Sequence, residues 1–393
     1  MGISGYRTAS GIALAALLMG LLAQPAYASQ SDNFRVLQHF DMELSNEIEF
    51  QGSRIYVNQY ASGYEAGVHL YEIGRNKGLR ETGMLVCQGI TDTAAFDKGI
   101  IAIGLQQGGE ECNTPPPAVS GYTGGVHVAD MRKPSKPKLR GSIALPGGVH
   151  TLTRYPNEPY VYTAMAGADT YAAYGGLTHI LDISDPDRPV IAATFASPLN
   201  PAGCHDILFQ SIDEKLIGFC PGAGGTEIWD ASDPLKPVPI GRMLVPFMQL
   251  PHQVAVSSDG KVAAISDEAY AVHGCQGGGP IGALWFYDIS DLTAPVLTGF
   301  YGPQRGTYPV GSLSGNSLSC TAHNFNFIPD TRLMVVAWIA GGTTVIDISD
   351  PLAVTEVAHY RPNGAVAMSS YWYGGRIYVA DFSLGFEVLK LDL

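Results

Sequence analysis

One short run recurs through this chain and limits what it can become. It reads ILDISDPDRP at 180–189, EIWDASDPLKP at 227–237, WFYDISDLTAP at 285–295 and VIDISDPLA at 345–353. Weaker copies are VHLYEIGRN at 68–76, VHVADMRKPSKP at 126–137 and FEVLKLDL at 386–393, making seven in all. Successive copies are mostly about fifty residues apart, the length of a four-stranded propeller blade. Each repeat keeps one order: an apolar strand, a turn, a second strand such as RIYV or KLIGF, a variable loop, the strand ending in the Asp motif, and a fourth strand such as PVIAATF. The motif itself is punctuation. Asp and Ser side chains bond their own backbone and proline cannot donate to a ladder, so a strand that reaches Asp-Ile-Ser-Asp-Pro stops there.

These copies resemble the LVIVD-repeat family of β-propellers, over nearly the whole chain beyond its leader. The resemblance implies an all-β fold, a seven-bladed β-propeller, and implies little about function, because propellers carry unrelated activities. The last repeat ends after its third strand, at Leu393. FRVLQHF at 34–40 reads as an orphan fourth strand, so the N-terminal strand is expected to complete the last blade and close the ring, leaving no open sheet edge. Residues 29–393 then form a single domain, since each blade packs only on its neighbours and no single large core is needed.

Residues 1–28 read differently: one basic residue, Arg7, an apolar run from Ile12 to Leu22, then QPAYA. This is the pattern of a signal peptide with cleavage expected after Ala28, and the run is too short to span a bilayer. A periplasmic or secreted protein without membrane insertion follows as the expectation. Loss of Arg7 moves the formal charge from -13 to -14, which disfavours nucleic acid as a partner. Gly (47), Pro (26) and Tyr (20) are abundant and only 15% of residues are charged, as suits short strands joined by tight turns.

Up-and-down strands sort residues onto faces. If the first strand of each blade starts on a top face, the loops between strands two and three lie there too, and the Asp motifs lie on the bottom. Long insertions fall only on the top, which is how a scaffold carrying a site is built. Six cysteines in an exported chain read first as disulfides. Cys204 and Cys220 should face each other across a hairpin, and Cys87 with Cys112 and Cys275 with Cys320 share the top face.

Aligning first strands gives GGVHTLTRY, AGCHDILFQ, LPHQVAVSS and CTAHNFNFI in blades three to six. His150, His205, His252 and His323 thus share one repeat position, at the top end of the strand that lines the central channel. Asn46, Asp92 and Met368 align there in the remaining blades. Two readings stand side by side. In one, a consensus histidine is copied with the repeat as scaffold; in the other, four imidazoles converge to hold iron, copper or zinc, the metals that suit nitrogen-rich sites. Retention of histidine on one contiguous arc favours the second. Asp206, Gln253 and Asn324, each directly after a ring histidine, are candidates to orient the imidazoles. Tyr171, Tyr174, Asp267, Glu268, Tyr270, His273, Arg305 and Tyr308 are top-face candidates for contacting a small-molecule or glycan ligand.

No phosphate loop, dinucleotide fingerprint, G-x-S-x-G elbow or H-E-x-x-H pair appears where the fold can use it. Two functions remain: an exported metal-dependent enzyme, oxidoreductase, oxygenase or lyase, acting on a small organic substrate, and a non-catalytic propeller that binds a protein or glycan through its top face.

Overall fold

A computed structural model describes residues 29–60, 66–87, 89–105, 124–145, 148–164, 176–269, 280–302, 312–313, 316–317 and 320–393. Seven antiparallel sheets carry four up-and-down strands each and form a seven-bladed β-propeller. The innermost strands are Ser45–Gln51, Ile90–Phe96, Thr151–Arg154, Leu208–Ile212, Pro251–Val256, Phe325–Phe327 and Ala367–Tyr373 for blades one to seven. Phe34–Phe40 is the outer strand of blade seven, in register with the C-terminal strand from Phe34 opposite Leu391 to Phe40 opposite Phe386. The ring is closed as the orphan strand predicts. One pairing was not foreseen: Ser29–Gln30 adds a fifth strand to blade six, opposite Arg361 and Tyr360.

The Asp motifs end the third strands by the chemistry expected of them. The first aspartate of each strong copy accepts the backbone N–H two residues on: Ser184 to Asp182 at 2.8 Å, Ser232 to Asp230 at 3.0 Å, Ser290 to Asp288 at 2.9 Å and Ser349 to Asp347 at 2.8 Å. The second aspartate repeats the device, Leu235 to Asp233 at 2.9 Å for example. The turn so formed presses on the outer strand of the preceding blade. A Cβ at Gly241 would stand 1.9 Å from the Leu292 carbonyl, and one at Gly299 would stand 2.2 Å from that of Pro351. Glycine in the fourth strand is therefore the counterpart of the Asp motif one blade further on.

Alternation along the second strands explains why they are apolar throughout. In Leu333–Ala337, Met334 and Val336 pack with Leu284 and Phe286 of blade five, while Val335 and Ala337 pack with Ile377 and Val379 of blade seven. Both faces of every sheet meet a neighbouring blade, so period-two polarity is absent. Blades one and seven join the same way, through Ile55 and Val57 against Tyr378 and Phe386. Buried Ser45 also donates its hydroxyl to the carbonyls of Asp381 and Gly385.

Cys204 and Cys220 form the expected disulfide, with Cα atoms 5.1 Å apart. Cys204 precedes the first strand of blade four, and Cys220 lies within the second, Lys215–Gly222. Cys87 and Cys320 are also disulfide-bonded; their expected partners, Cys112 and Cys275, lie outside the described residues, as do residues 1–28 and the longest insertions. Among the described residues no helix is long and apolar enough to cross a membrane.

Candidate metal centre

Each inner strand is irregular near its top end, and the register there defines the rows that face the axis. In blade five Pro251 pairs Asp267 and Val254 pairs Ile265, leaving His252 and Gln253 bulged between them. The same gap holds Asn46 and Glu47 in blade one and Met368 in blade seven. His150, His205 and His323 donate their backbone N–H to Ala164, Pro221 and Ala337 at this level. Blade two departs from the alignment by one residue. Ile90 pairs Leu105 and Asp92 pairs Gly104, so the bulged residue is Thr91, and Asp92 belongs to the next row. The upper row is thus Asn46, Thr91, His150, His205, His252, His323 and Met368. The row below it is Glu47, Asp92, Thr151, Asp206, Gln253, Asn324 and Ser369, polar in all seven blades.

The histidines form an arc of touching rings. Ring centroids are 4.7 Å apart from His150 to His205, 4.0 Å from His205 to His252 and 4.1 Å from His252 to His323. Glu268, just past the second strand of blade five, reaches into this arc. Its Oε2 is 3.5 Å from His252 Nε2 and 4.0 Å from His205 Nε2, and its Oε1 is 3.4 Å from His323 Nε2. Asp206 sits behind the same rings, with Oδ1 3.5 Å from His205 Nδ1 and Oδ2 3.4 Å from His252 Nδ1. One carboxylate therefore faces both Nδ1 atoms and the other faces both Nε2 atoms. Neither Nδ1 is hydrogen-bonded among the described residues; a proton on each Nδ1, on the side of the Asp206 charge, would leave the Nε2 lone pairs aimed at the Glu268 side. His323 is fixed separately: its Nδ1 donates to the Met368 carbonyl at 2.7 Å, which turns Nε2 toward Glu268.

Burial sets the charge of this cluster. His205 and His252 are each 2% exposed and Glu268 5%. Burial, reinforced by the neighbouring imidazoles, pushes His252 well below the usual histidine range, and burial with His205 beside it takes His150 down to about 4. Both rings are neutral at physiological pH, the form that ligates metal. On His323 burial pulls the same way, but the hydrogen bond and charge of Glu268 outweigh it and the net shift is upward. His205, His252 and Glu268 bring one ligand atom each to within 4.8 Å of one another, and this buried group could hold a metal ion. A divalent ion between them would offset the charge of carboxylates that neutral imidazoles leave uncompensated.

Of the residues expected to orient the imidazoles, only Asp206 faces them. Gln253 accepts from the Phe325 N–H at 2.7 Å and donates to Tyr371 Oη at 3.2 Å. Asn324 donates to Glu47 and to Tyr371 Oη. Both bind the lower row together instead. Tyr371 Oη in turn donates to Glu47 at 2.9 Å, and Asp92 accepts the N–H groups of Thr93 and Leu152 at 2.6 Å. Burial raises Glu47 to about 7 and Asp92 well above the usual carboxylate range. Asn46 donates to the Thr91 carbonyl at 2.7 Å.

Glu268 stands among the histidines instead of in a ligand loop, a placement that sequence spacing did not supply. Its neighbour Asp267 accepts the N–H groups of Gln249, Leu250 and Gly282 and so shapes the turn that delivers Glu268. Tyr171, Tyr174, Tyr270, His273, Arg305 and Tyr308 lie outside the described residues.

Residues 335–361 match the LVIVD repeat, in agreement with the copy at 345–353. Among solved structures, the chain is similar to a structural-genomics protein from Lactobacillus plantarum, at TM-score 0.59 and 14% identity over 87% of this chain and 94% of that one. It is also similar to the RRP9 WD40 repeats, at TM-score 0.57 and 8% identity over 93% and 99% of the two chains. At these identities the likeness is one of fold. No curated protein matches the sequence.

Proposed function

We propose that this chain is an exported metalloenzyme whose axial centre holds a transition-metal ion on His205, His252 and Glu268 and acts on a small organic substrate. One observation carries the reading. Two imidazoles and a carboxylate present their ligand atoms within 4.8 Å of one another in a buried site, with a second carboxylate, Asp206, behind both imidazoles. Two histidines and one carboxylate are the donor set of catalytic zinc and of non-haem iron, and they leave coordination positions open; closed structural zinc sites fill all four. Iron, zinc and copper remain the metals the nitrogen-rich set suits. Bound there, the ion would supply Lewis acidity or oxygen activation, and the class of reaction is oxidoreductase, oxygenase or lyase. His150 and His323 flank the three ligands and are placed to orient a substrate group or to add a ligand.

The discriminating experiment loads the protein with cobalt(II) and follows its visible bands. One saturable site whose bands shift when azide is added reports an open coordination position. A saturable site indifferent to azide would mean a structural metal, and the absence of any site would return the top face to a non-catalytic binding role.

A further inference from the structure

Below the histidine arc the channel widens into a cavity of about 540 Å³ that runs to the exposed rim residues Ser258 and Pro329, within the roughly 300–1,000 Å³ usual for small-molecule sites. We infer that this lower channel is a second site, below the metal centre and sharing Asp206 with it, that binds a small primary ammonium compound with an apolar tail. It goes beyond the metal reading and does not need it.

The charge of the wall comes first. Glu47, Glu49, Asp92 and Asp206 line the cavity, and Arg154 is the cation among its lining residues. That guanidinium is already engaged, with the Ala95 carbonyl at 3.2 Å, Asp97 at 3.5 Å and the Phe96 ring at 5.3 Å. The second point is independent of charge. Asn324, 2% exposed, lines the cavity, and its Oδ1 is buried with no hydrogen-bond partner among the described residues. The amide cannot be turned over, because its Nδ2 serves Glu47 and Tyr371 Oη, and an oxygen there would face a carboxylate. The Tyr371 hydroxyl spends its proton on Glu47. An orphaned acceptor beside carboxylates calls for a ligand with several N–H donors, and an ammonium head carries three. The wall also has an aromatic part: Phe50 stacks on Tyr373 at 4.5 Å, and Trp372 lines the same cavity, offering surface to an apolar tail and to a cation.

The test is calorimetric titration at pH 8 with n-butylammonium chloride, and with potassium butyrate, 1-pentanol and calcium chloride as comparison probes. Saturable one-to-one binding of butylammonium is expected, with no binding of butyrate or pentanol. Glu47→Gln and Asn324→Ala should each weaken it by about tenfold or more, the scale of a lost hydrogen bond to charge, while melting temperature and metal content stay unchanged. Trp372→Ala, away from the polar row, should weaken it several-fold and decides the matter if the other variants do not fold. No saturable binding, equal binding of pentanol or butyrate, binding of calcium alone, or unchanged affinity in the folded variants would overturn the inference. Loss of metal with butylammonium binding intact would count against the metal reading only.

Discussion

Glu268 belongs to blade five, yet its Oε1 lies 3.4 Å from Nε2 of His323 in blade six. Its other oxygen addresses His205 and His252, so one side chain gathers three histidines from three consecutive blades. Three of the four histidines thereby share one carboxylate.

Removing that carboxylate should be felt in metal affinity first. Glu268→Gln keeps the shape and loses the charge, and zinc affinity should fall by at least about tenfold, judged by what a lost metal-site contact costs. Competition with a chromophoric chelator measures it. An unchanged constant would mean that the histidines bind without it.

Asp206→Asn should weaken zinc binding by about 10–100-fold without unfolding the protein, because it removes the negative charge that faces both Nδ1 atoms and favours their protonation. The same chelator competition, run beside a circular-dichroism melt, separates a weakened site from a damaged fold. Equal affinities would relegate Asp206 to the channel wall.

The repeat architecture makes a separate prediction about stability. Gly241→Ala forces a methyl group against the Leu292 carbonyl of the next blade, and overpacking of this kind costs on the order of 1–3 kcal/mol. Urea unfolding should show the loss. Breaking the Cys204–Cys220 bridge, which closes a span of 16 residues, should cost about 3 kcal/mol by the loop-entropy account.

Two buried carboxyls should each withdraw stability as pH rises through the acid-to-neutral range, against the opposite contribution of His150 and His252, which stay neutral in the folded chain. Burial holds Glu49 and Asp381 up at about 7, so each keeps its proton in the folded chain across pH values where the unfolded carboxyl has lost it. At these two groups the folded state then binds more protons, and linkage makes their contribution fall with each step upward until about pH 7, where the effect levels off. Glu49→Gln removes one such carboxyl, so in metal-free protein the urea midpoint at pH 8 relative to that at pH 5 should be higher in the variant than in the parent. An equal gap in the variant would contradict the assignment.

Much of this was legible in the sequence, for a physical reason. Asp-Ile-Ser-Asp-Pro encodes its turn locally, so seven copies give seven strand ends and the blade order follows. FRVLQHF could be placed because a ring with a missing strand has one vacancy. The histidine row was readable in four blades because each histidine precedes the same hairpin, but the bulge in blade two puts Thr91 in the row, and a bulge leaves no mark in a strand of apolar and small residues. Glu268 was misplaced for a related reason: its role depends on the turn made by Asp267 and on two neighbouring blades, and contacts across blades have no period along the chain. Asn324 and Gln253 look like partners of the histidines beside them, yet both are taken up across the channel, by Tyr371, Glu47 and the Phe325 N–H, contacts with no mark along the chain.

That the axial cluster is a metal centre is tested most directly by metal analysis of protein purified without added metal or chelator. Inductively coupled plasma mass spectrometry should find about one transition-metal ion per chain, lost in a His205→Ala, His252→Ala double variant that keeps its β-sheet spectrum. Substoichiometric metal that the double variant leaves unchanged would contradict it.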